Sequence, residues 1–373
     1  MRVLVTDGEQ KHALGAVRAL AREGVEVIVG SASKGAVSFL SRACSERVVY
    51  PSPLRNEGAF LEAILRTVAE KRIDVLLPIG YYPNVLFSRH REELARVARL
   101  AVADAEAMAI ASDKQRTMAF ARSVGVPIPE TYSSREQVRS YPVVVKASLG
   151  TGALTYVNSR SELESRDLTD AVLQDYVPGS GFGFYGLFRH GELRAFFMHQ
   201  RIREFPVTGG ASTAAGAFYD ERLKELGVRL LGALRWHGVA MVEVKKDDRD
   251  GEYRLMEINP KFWGSLELSI AAGVNFPYLA ARMAADGDVA PVLDYDRNIR
   301  FRWPFPQDLI HVIARPRSAG RFVADFFDPR MKTNLSASDW APTLYLLATT
   351  PLEIARRAVR GRLFLPHGSP RDH

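Results

Sequence analysis

The sequence predicts a mixed α/β and α+β fold, with an N-terminal parallel-sheet domain, strand hairpins after it and a basic helical tail. Three observations carry this. Short apolar runs alternate with amphipathic helical segments up to residue 111, a β-α-β pattern that closes into a parallel sheet through right-handed crossovers. Further on, apolar runs flank a glycine-rich turn, a His-Gly turn and an Asp-Gly turn, the pattern of short strands joined as hairpins. From Arg300 onward, twelve Lys or Arg stand against six Asp or Glu.

The elements follow in chain order. Arg2-Val-Leu-Val-Thr6 is a buried-type strand, Ala13 to Arg22 a helix stopped by Gly24, and Val25 to Gly30 the next strand. Phe60 to Lys71 is a helix, Asp74 to Ile79 a strand, and Leu100 to Ala103 one more. The first turn, Thr6 to His12, has no G-x-G-x-x-G, so a dinucleotide fingerprint is absent. Open α/β sheets gather ligands at strand ends, which makes Asp7, Gly80, Tyr81 and Tyr82 either a substrate wall or ordinary turn residues. Ser112 to Gly125 is a helix with a Ser or Asp cap and a glycine stop. Lys114 sits in its first turn, where a positive charge opposes the helix dipole unless an anion is near.

Val126 to Thr131 is a stiff extended linker, and Tyr141 to Ala147 a strand that runs into Gly150-Thr-Gly152. A lysine ending that strand, Lys146, beside a glycine loop suits phosphate, although lysines at strand ends are also common surface residues. Gln174-Asp175-Tyr176-Val177 closes a short strand broken by Pro178-Gly179, and such an edge can offer backbone groups to a purine. Phe182 to Phe188 and Glu192 to Gln200 pair across His190-Gly191, and Leu223 to Leu234 is a helix. Thr208 to Phe218, built of small residues, is expected to be a loop bordering the acceptor.

The most informative segment comes next. Gly238 to Glu243 and Tyr253 to Asn259 form a hairpin about Asp250-Gly251. Side chains alternate along a strand, so Glu257 and Asn259 share a face and Glu243 lies opposite Glu257. Facing carboxylates repel. Either both are solvated on an exposed hairpin, or a hard cation such as Mg²⁺ binds Glu243, Glu257 and Asn259 with nucleotide phosphates completing its shell.

Composition narrows the function classes. The 373 residues are 47% hydrophobic and 25% charged, as in a soluble globular protein of two or three domains. The formal charge of +7 is concentrated at the C-terminal end, where the net is +6, so a nucleic-acid-binding face is not expected. Cys44 is the only cysteine, which excludes an internal disulfide. No base or orienting partner for a nucleophilic thiol is visible near it. Neither a signal peptide nor a membrane span is legible, and a cytoplasmic location is the expectation. The tail segment Trp340 to Phe364 mixes aliphatic, aromatic and arginine residues. Packing on the protein is the favoured reading, with an anionic membrane surface or dimer contacts as alternatives. Pro342, Pro351 and Gly361 are expected to interrupt any long helix there.

Taken in order, Lys114, Lys146, Gln174 to Gly179, Arg203, Glu243 and Glu257-Ile-Asn259-Pro-Lys261 resemble the ATP-grasp superfamily. The likeness is to carboxylate–amine ligases related to the synthetase domains of carbamoyl-phosphate synthase. It implies four parts: a Rossmann-like pre-ATP-grasp domain over 1–111, a small lobe over 112–180, a large lobe with the metal site over 181–300, and a C-terminal basic extension over 301–373. It implies ATP and Mg²⁺ as cofactors, two ions, with Mn²⁺ able to substitute. Lys114 and Lys146 would hold phosphates, the backbone of Asp175 to Val177 would read adenine with Gln174 opening that hinge, and Gly150 and Gly152 would close over the phosphates. Glu243, Glu257 and Asn259 would bind metal. Arg203 would stabilise the γ-phosphate and the acyl phosphate, with Arg201 as its rival, and Lys261 would contact phosphate where relatives often carry arginine. Relatives often place a ribose-binding acid just beyond the hinge, and Gly179 to Gly183 contains none.

The implied activity is activation of a carboxylate by ATP to an acyl phosphate, followed by attack of an amine or another nucleophile, with release of ADP and phosphate. A nucleotide-binding regulatory or scaffold protein, or carboxyphosphate or carbamoyl chemistry on bicarbonate, are the alternatives. Partners would be small-molecule carboxylates and amines, and a homo-oligomer is compatible.

Overall fold

The computed structural model describes residues 1–149, 154–207 and 209–360. Gly150 and Gly152 therefore lie outside the described residues. The N-terminal sheet is wholly parallel, with β1 (Arg2–Val5), β2 (Glu26–Ser31), β3 (Glu46–Val49) and β4 (Val75–Leu77) in the order β3-β2-β1-β4. Helix α1 (Lys11–Arg22) connects the first two strands. Its apolar face, Ala13, Ala16, Val17 and Leu20, is buried against Val3 and Val5. Leu100 to Ala103 does not form a strand. Only the preceding Arg99 makes a single parallel bridge, to Val75. The run ends in Asp104, which caps the helix Ala105–Ser112 by accepting from the Ala107 amide at 2.8 Å.

The second sheet is small: β5 (Thr131–Tyr132), β6 (Val143–Ala147), β7 (Leu154–Val157) and β8 (Ala171–Asp175), all antiparallel in the order β5-β8-β6-β7. The helix Lys114–Ser123 leads into it, with the Asp113 carboxylate accepting from the amides of Gln115 and Arg116 at 2.8 and 3.2 Å.

The third sheet has seven strands: β9 (Gly179–Arg189), β10 (Glu192–Phe205), β11 (Ala211–Ala217), β12 (Gly238–Asp247), β13 (Tyr253–Asn259), β14 (Arg300–Arg302) and β15 (Met331–Thr333). Their order is β13-β12-β9-β10-β11-β14-β15. The Ala-, Ser- and Gly-rich stretch expected to be a loop is strand β11. Alanine and glycine are poor strand formers in isolation. Here Ala214 and Ala215 are fully buried between β10 and β14, so tertiary pairing overrides propensity. One apolar cluster joins the two larger sheets, running from Val3 and α1 through Phe184, Phe188, Trp236, Trp263 and Trp303.

The C-terminal region is mostly helical, although β14 and β15 belong to the large sheet. Pro342 and Pro351 do not break the last helix, which spans Trp340–Val359. Pro342 falls in the first turn, where its missing N–H costs nothing, and Pro351 is tolerated inside. The segment is anchored on the body. Asp339 accepts from Arg18 Nε and Ser41 Oγ, both at 2.7 Å, and Ile354 packs on Phe205 and Ile310. Among the described residues no helix is long and apolar enough to cross a membrane.

Candidate nucleotide and metal site

The register of the β12–β13 hairpin sets Glu243 directly opposite Glu257, and Met241 opposite Asn259. On the other side of β12, Glu243 faces Gly183 of β9, which in turn faces His199 of β10. One cross-strand row therefore reads Glu257, Glu243, Gly183, His199. The neighbouring positions on the same face are Lys245 on β12, Gly181 on β9 and Arg201 on β10. Glycine is required in this row. A Cβ on Gly183 would stand 2.4 Å from the Tyr185 hydroxyl, and one on Gly181 would stand 3.3 Å from the Arg201 side chain lying across it.

Both carboxylates are held by cations. Arg201 Nη2 donates to Glu243 Oε1 at 2.5 Å and Nη1 donates to Glu204 Oε2 at 3.2 Å. Lys114 Nζ lies 3.7 Å from Glu257 Oε2, brought there by the first turn of its helix. Asn259 Nδ2 donates to Glu257 Oε1 at 2.7 Å. The donor set of two carboxylates and one amide oxygen is all hard oxygen, which suits Mg²⁺. Among the described residues no group of three His, Cys, Asp or Glu could hold a metal by itself. These residues can thus fit a divalent cation only as a partial shell completed by oxygens of a ligand. Turning the Asn259 amide about its terminal torsion would present its oxygen in place of its nitrogen.

The small sheet supplies the facing wall. Lys146 Nζ donates to Gln174 Oε1 at 3.3 Å, and Gln174 Nε2 donates to Thr131 Oγ1 at 3.0 Å. Burial pulls the Lys146 pKa down, while Glu257 and Glu243 push it back up, so this lysine feels the carboxylate row across the cleft. Lys261 behaves alike: burial lowers its pKa, and Glu257, Glu243 and Asp7 raise it.

At the hinge, the Asp175 N–H donates to Glu130 O at 2.9 Å and the Tyr176 N–H to Pro142 O at 3.3 Å. Two of the backbone donors expected to face a purine are therefore spent within the small lobe. The Val177 carbonyl accepts from Lys245 Nζ at 2.6 Å, and this ammonium also lies 4.8 Å from the Tyr176 ring centroid. Lys245 thus ties the segment after β8 to β12. Sequence reasoning passed over it, although alternation from Glu243 places it on the same face.

Arg203 is not beside the carboxylates. A bulge around Ile202 shifts the β10–β11 register between Arg201 and Arg203, so the two arginines have different surroundings. The guanidinium of Arg203 is buried and grips Asp308 with two bonds of 2.7 and 2.8 Å, and Asp325 with one of 2.6 Å. Both acids come from beyond residue 300. Arg201, the rival, is the arginine at the site. His199 is fully buried, accepts or donates at 2.8 Å to Ser265 Oγ, and is also bonded to the Tyr185 hydroxyl. Burial and the charge of Arg201 push its pKa down to about 3, so it is a neutral spacer behind the row.

Of the N-terminal candidates, Asp7 adopts a left-handed backbone with φ of 57°. Its carboxylate accepts from the Gly80 amide at 2.8 Å and from Thr6 Oγ1 at 2.5 Å. Burial raises its pKa to about 6. Tyr82 is exposed and Tyr81 half-buried at the start of the helix Tyr81–Arg89. Cys44 donates to Glu46 O at 3.2 Å and burial raises its pKa, both opposite to what a reactive thiol needs.

Residues 168–304 match the family described as ATP-grasp in the biosynthetic pathway with Ter operon. The N-terminal section of the carbamoyl phosphate synthase large chain of Methanopyrus kandleri is 25% identical, over 78% of this chain and 58% of that relative. The D-aspartate ligase of Enterococcus faecium is 23% identical, over 54% of this chain and 58% of that relative. The chain thus spans a little under three-fifths of the length of these two relatives. The ADP complex of N5-carboxyaminoimidazole ribonucleotide synthetase superposes with a TM-score of 0.66 at 15% identity, covering 87% of this chain and 85% of that one. That likeness is one of fold. Over the matched residues, then, the chain carries an ATP-grasp domain.

Proposed function

We propose that this protein is an ATP- and Mg²⁺-dependent, ADP-forming ligase that activates a carboxylate as an acyl phosphate for attack by an amine or other nucleophile. The observation that carries the reading is the registered pair Glu243 and Glu257, flanked by Asn259, Lys114 and Arg201, with Lys146 facing it from the small sheet. Facing carboxylates ringed by cations have one economical use, the handling of a polyphosphate with its metal. Both relatives named above are ligases or synthases by name, and a related fold has been solved with ADP.

Glu243, Glu257 and Asn259 would hold Mg²⁺, which when bound neutralises charge on the β- and γ-phosphates. Two ions are the expectation from the family, and Mn²⁺ would serve in their place. Lys114 and Lys146 would bind phosphate oxygens. Val177 offers the outer end of the hinge to adenine, steadied by Lys245 on its carbonyl. Arg201 and Lys261 face the transferred group and offset the charge on its equatorial oxygens. Arg201 takes the place assigned to Arg203, whose charge is consumed by Asp308 and Asp325. No protein nucleophile is needed, since phosphoryl transfer of this kind rests on positioning and charge.

The test is ADP release by the purified full-length protein with Mg²⁺ and a panel of amino acids, offered singly and in pairs. Carboxylate-dependent ADP formation that continues only when an amine is added is the expected result. Nucleotide hydrolysis indifferent to every carboxylate would sink the ligase reading.

A further inference from the structure

Where α1 begins, basic groups gather with no acid paired to them. Lys11 makes no ion pair among the described residues. Its Nζ lies 3.1 Å from the neutral Gln307 Oε1 and 4.3 Å from the Trp303 ring centroid. The nearest acid that acts on it, Glu267, is buried, accepts from Trp303 Nε1 at 2.8 Å, and is pushed by burial toward its neutral form. Burial lowers the Lys11 pKa to about 8.

His12 is 9% exposed, and among the described residues its Nε2 has no hydrogen-bond partner. Burial, then Lys261, then Lys11 depress its pKa, so both ammonium groups lie within electrostatic reach of the imidazole. A buried ring nitrogen without a partner is costly unless something binds it.

The helix end itself is also unanswered. α1 is twelve residues long, its N-cap Gln10 makes no side-chain cap, and its first turn holds no acid. Its first amides and its dipole favour an anion. The surrounding walls come from three parts of the chain. A Cβ at Gly264, in the loop after β13, would stand 3.5 Å from Lys11 Cε. At Gly80 a Cβ would stand 2.7 Å from Gln10 Nε2, so the bare glycine lets that side close. On the sheet side, Asp7 is spent on Thr6 and the Gly80 amide, and Glu9 accepts from Ser31 Oγ at 2.6 Å.

We propose that Lys11, His12 and the N-terminal end of α1 form the binding site for a carboxylate co-substrate, held between the N-terminal sheet and the loop after β13. Lys261 then bridges this site and the phosphoryl end of the nucleotide cleft. The inference rests on the ligase reading for its consequence, but its binding step can be tested alone.

The probe is acetate, with acetamide as its uncharged isostere and inorganic phosphate as a competing anion. The full-length protein is treated with an N-hydroxysuccinimide ester, and the acylation rate of Lys11 is followed by peptide mass spectrometry against the exposed Lys34 and Lys332. At ten times its half-saturating concentration, acetate should slow Lys11 acylation by about tenfold. It should leave Lys34 and Lys332 unchanged, and acetamide should protect nothing. His12→Asn, checked by melting, should raise the acetate concentration needed. Lack of protection by acetate, or equal protection by acetamide, overturns the proposal. Protection by phosphate but not acetate overturns the carboxylate assignment. Calorimetry with Mg²⁺ and ADP on the same preparation separates the two readings. Nucleotide binding with an unprotected Lys11 sinks only this site, whereas protected Lys11 without nucleotide binding sinks only the ligase reading.

Discussion

The two walls of the nucleotide cleft are built differently. The carboxylate hairpin is part of a seven-stranded sheet whose Phe184, Phe188 and Val242 are fully buried in a cluster shared with the N-terminal sheet. Removing one such aromatic side chain costs about 3–5 kcal/mol. The small sheet has its own modest cluster, Val143, Val157, Leu163 and Leu173. Its strand β8 meets the carboxylate hairpin through polar links just beyond its end, Lys245 to the Val177 carbonyl and the Asp248 amide to the Pro178 carbonyl. A region with few buried apolar contacts opens at lower free energy than the core it abuts. The lesson is a division of labour. Glu243, Glu257 and Arg201 are placed by the deep core, while Lys146 rides on a sheet with a small apolar cluster of its own.

The largest effect should come from Arg203, which belongs to the rigid side. Arg203→Met would leave Asp308 and Asp325 buried beside each other, with loss of stability on the order of 3–5 kcal/mol. Arg201→Met, two residues away, should leave the melting temperature nearly unchanged and remove turnover. Denaturant melts and ADP release on the two variants check this, and equal stability losses would erase the contrast between the two arginines.

Glu257→Gln comes next. It should lower the rate about 10²–10³-fold, the scale of losing one preorganised charge-stabilising group. The fold should persist, because this carboxylate is partly exposed. A magnesium titration of ATP consumption, beside a melt, is the measurement. Full activity at low magnesium would contradict the metal assignment.

On the small-sheet side, Lys146→Ala should weaken binding of a non-hydrolysable ATP analogue by about 1.5–3 kcal/mol, and should lower stability much less than Arg203→Met. Calorimetry decides. A global loss of stability as large as the loss of affinity would mean the small sheet is not separable from the core.

The smallest and most local effect concerns Asp7 and pH. Its folded pKa, about 6, lies above the model-compound value of 3.8 because burial disfavours the charge. Between those two values the unfolded chain has released this proton while the native protein keeps it. The stabilising contribution is therefore complete below 3.8 and is lost as pH rises through about 6. Asp7→Asn should flatten that decline, seen as a difference in melting temperature between variant and wild type that grows from pH 4 to pH 6. A constant difference across the window would show that Asp7 does not titrate there.

Much of this was legible from local rules. Period-2 alternation and an Asp-Gly turn suffice to face Glu243 with Glu257, and an Asp cap followed by Lys114 is a short-range signal. Lys245 was legible by the same alternation but was overlooked. Other features had no local signal. Strand β11 is built of residues that disfavour strands and forms because β10 and β14 need a thin neighbour. Leu100 to Ala103 is apolar enough for a strand, but after the Arg99 bridge the chain turns to cap the next helix.

By itself, then, the sequence determined the N-terminal parallel sheet, the hairpin that faces Glu243 with Glu257 and the helix turn that carries Lys114, because each follows from local spacing along a strand or helix. Tertiary structure alone decided which arginine lies beside the acid pair and what surrounds Lys11. Arg203 is claimed by Asp308 and Asp325, 105 and 122 residues away, and Lys11 by Gln307, 296 residues away. A charge takes its role from the partner nearest in space and from the water excluded around it. Neither is fixed until the distant C-terminal segment has packed against the sheet.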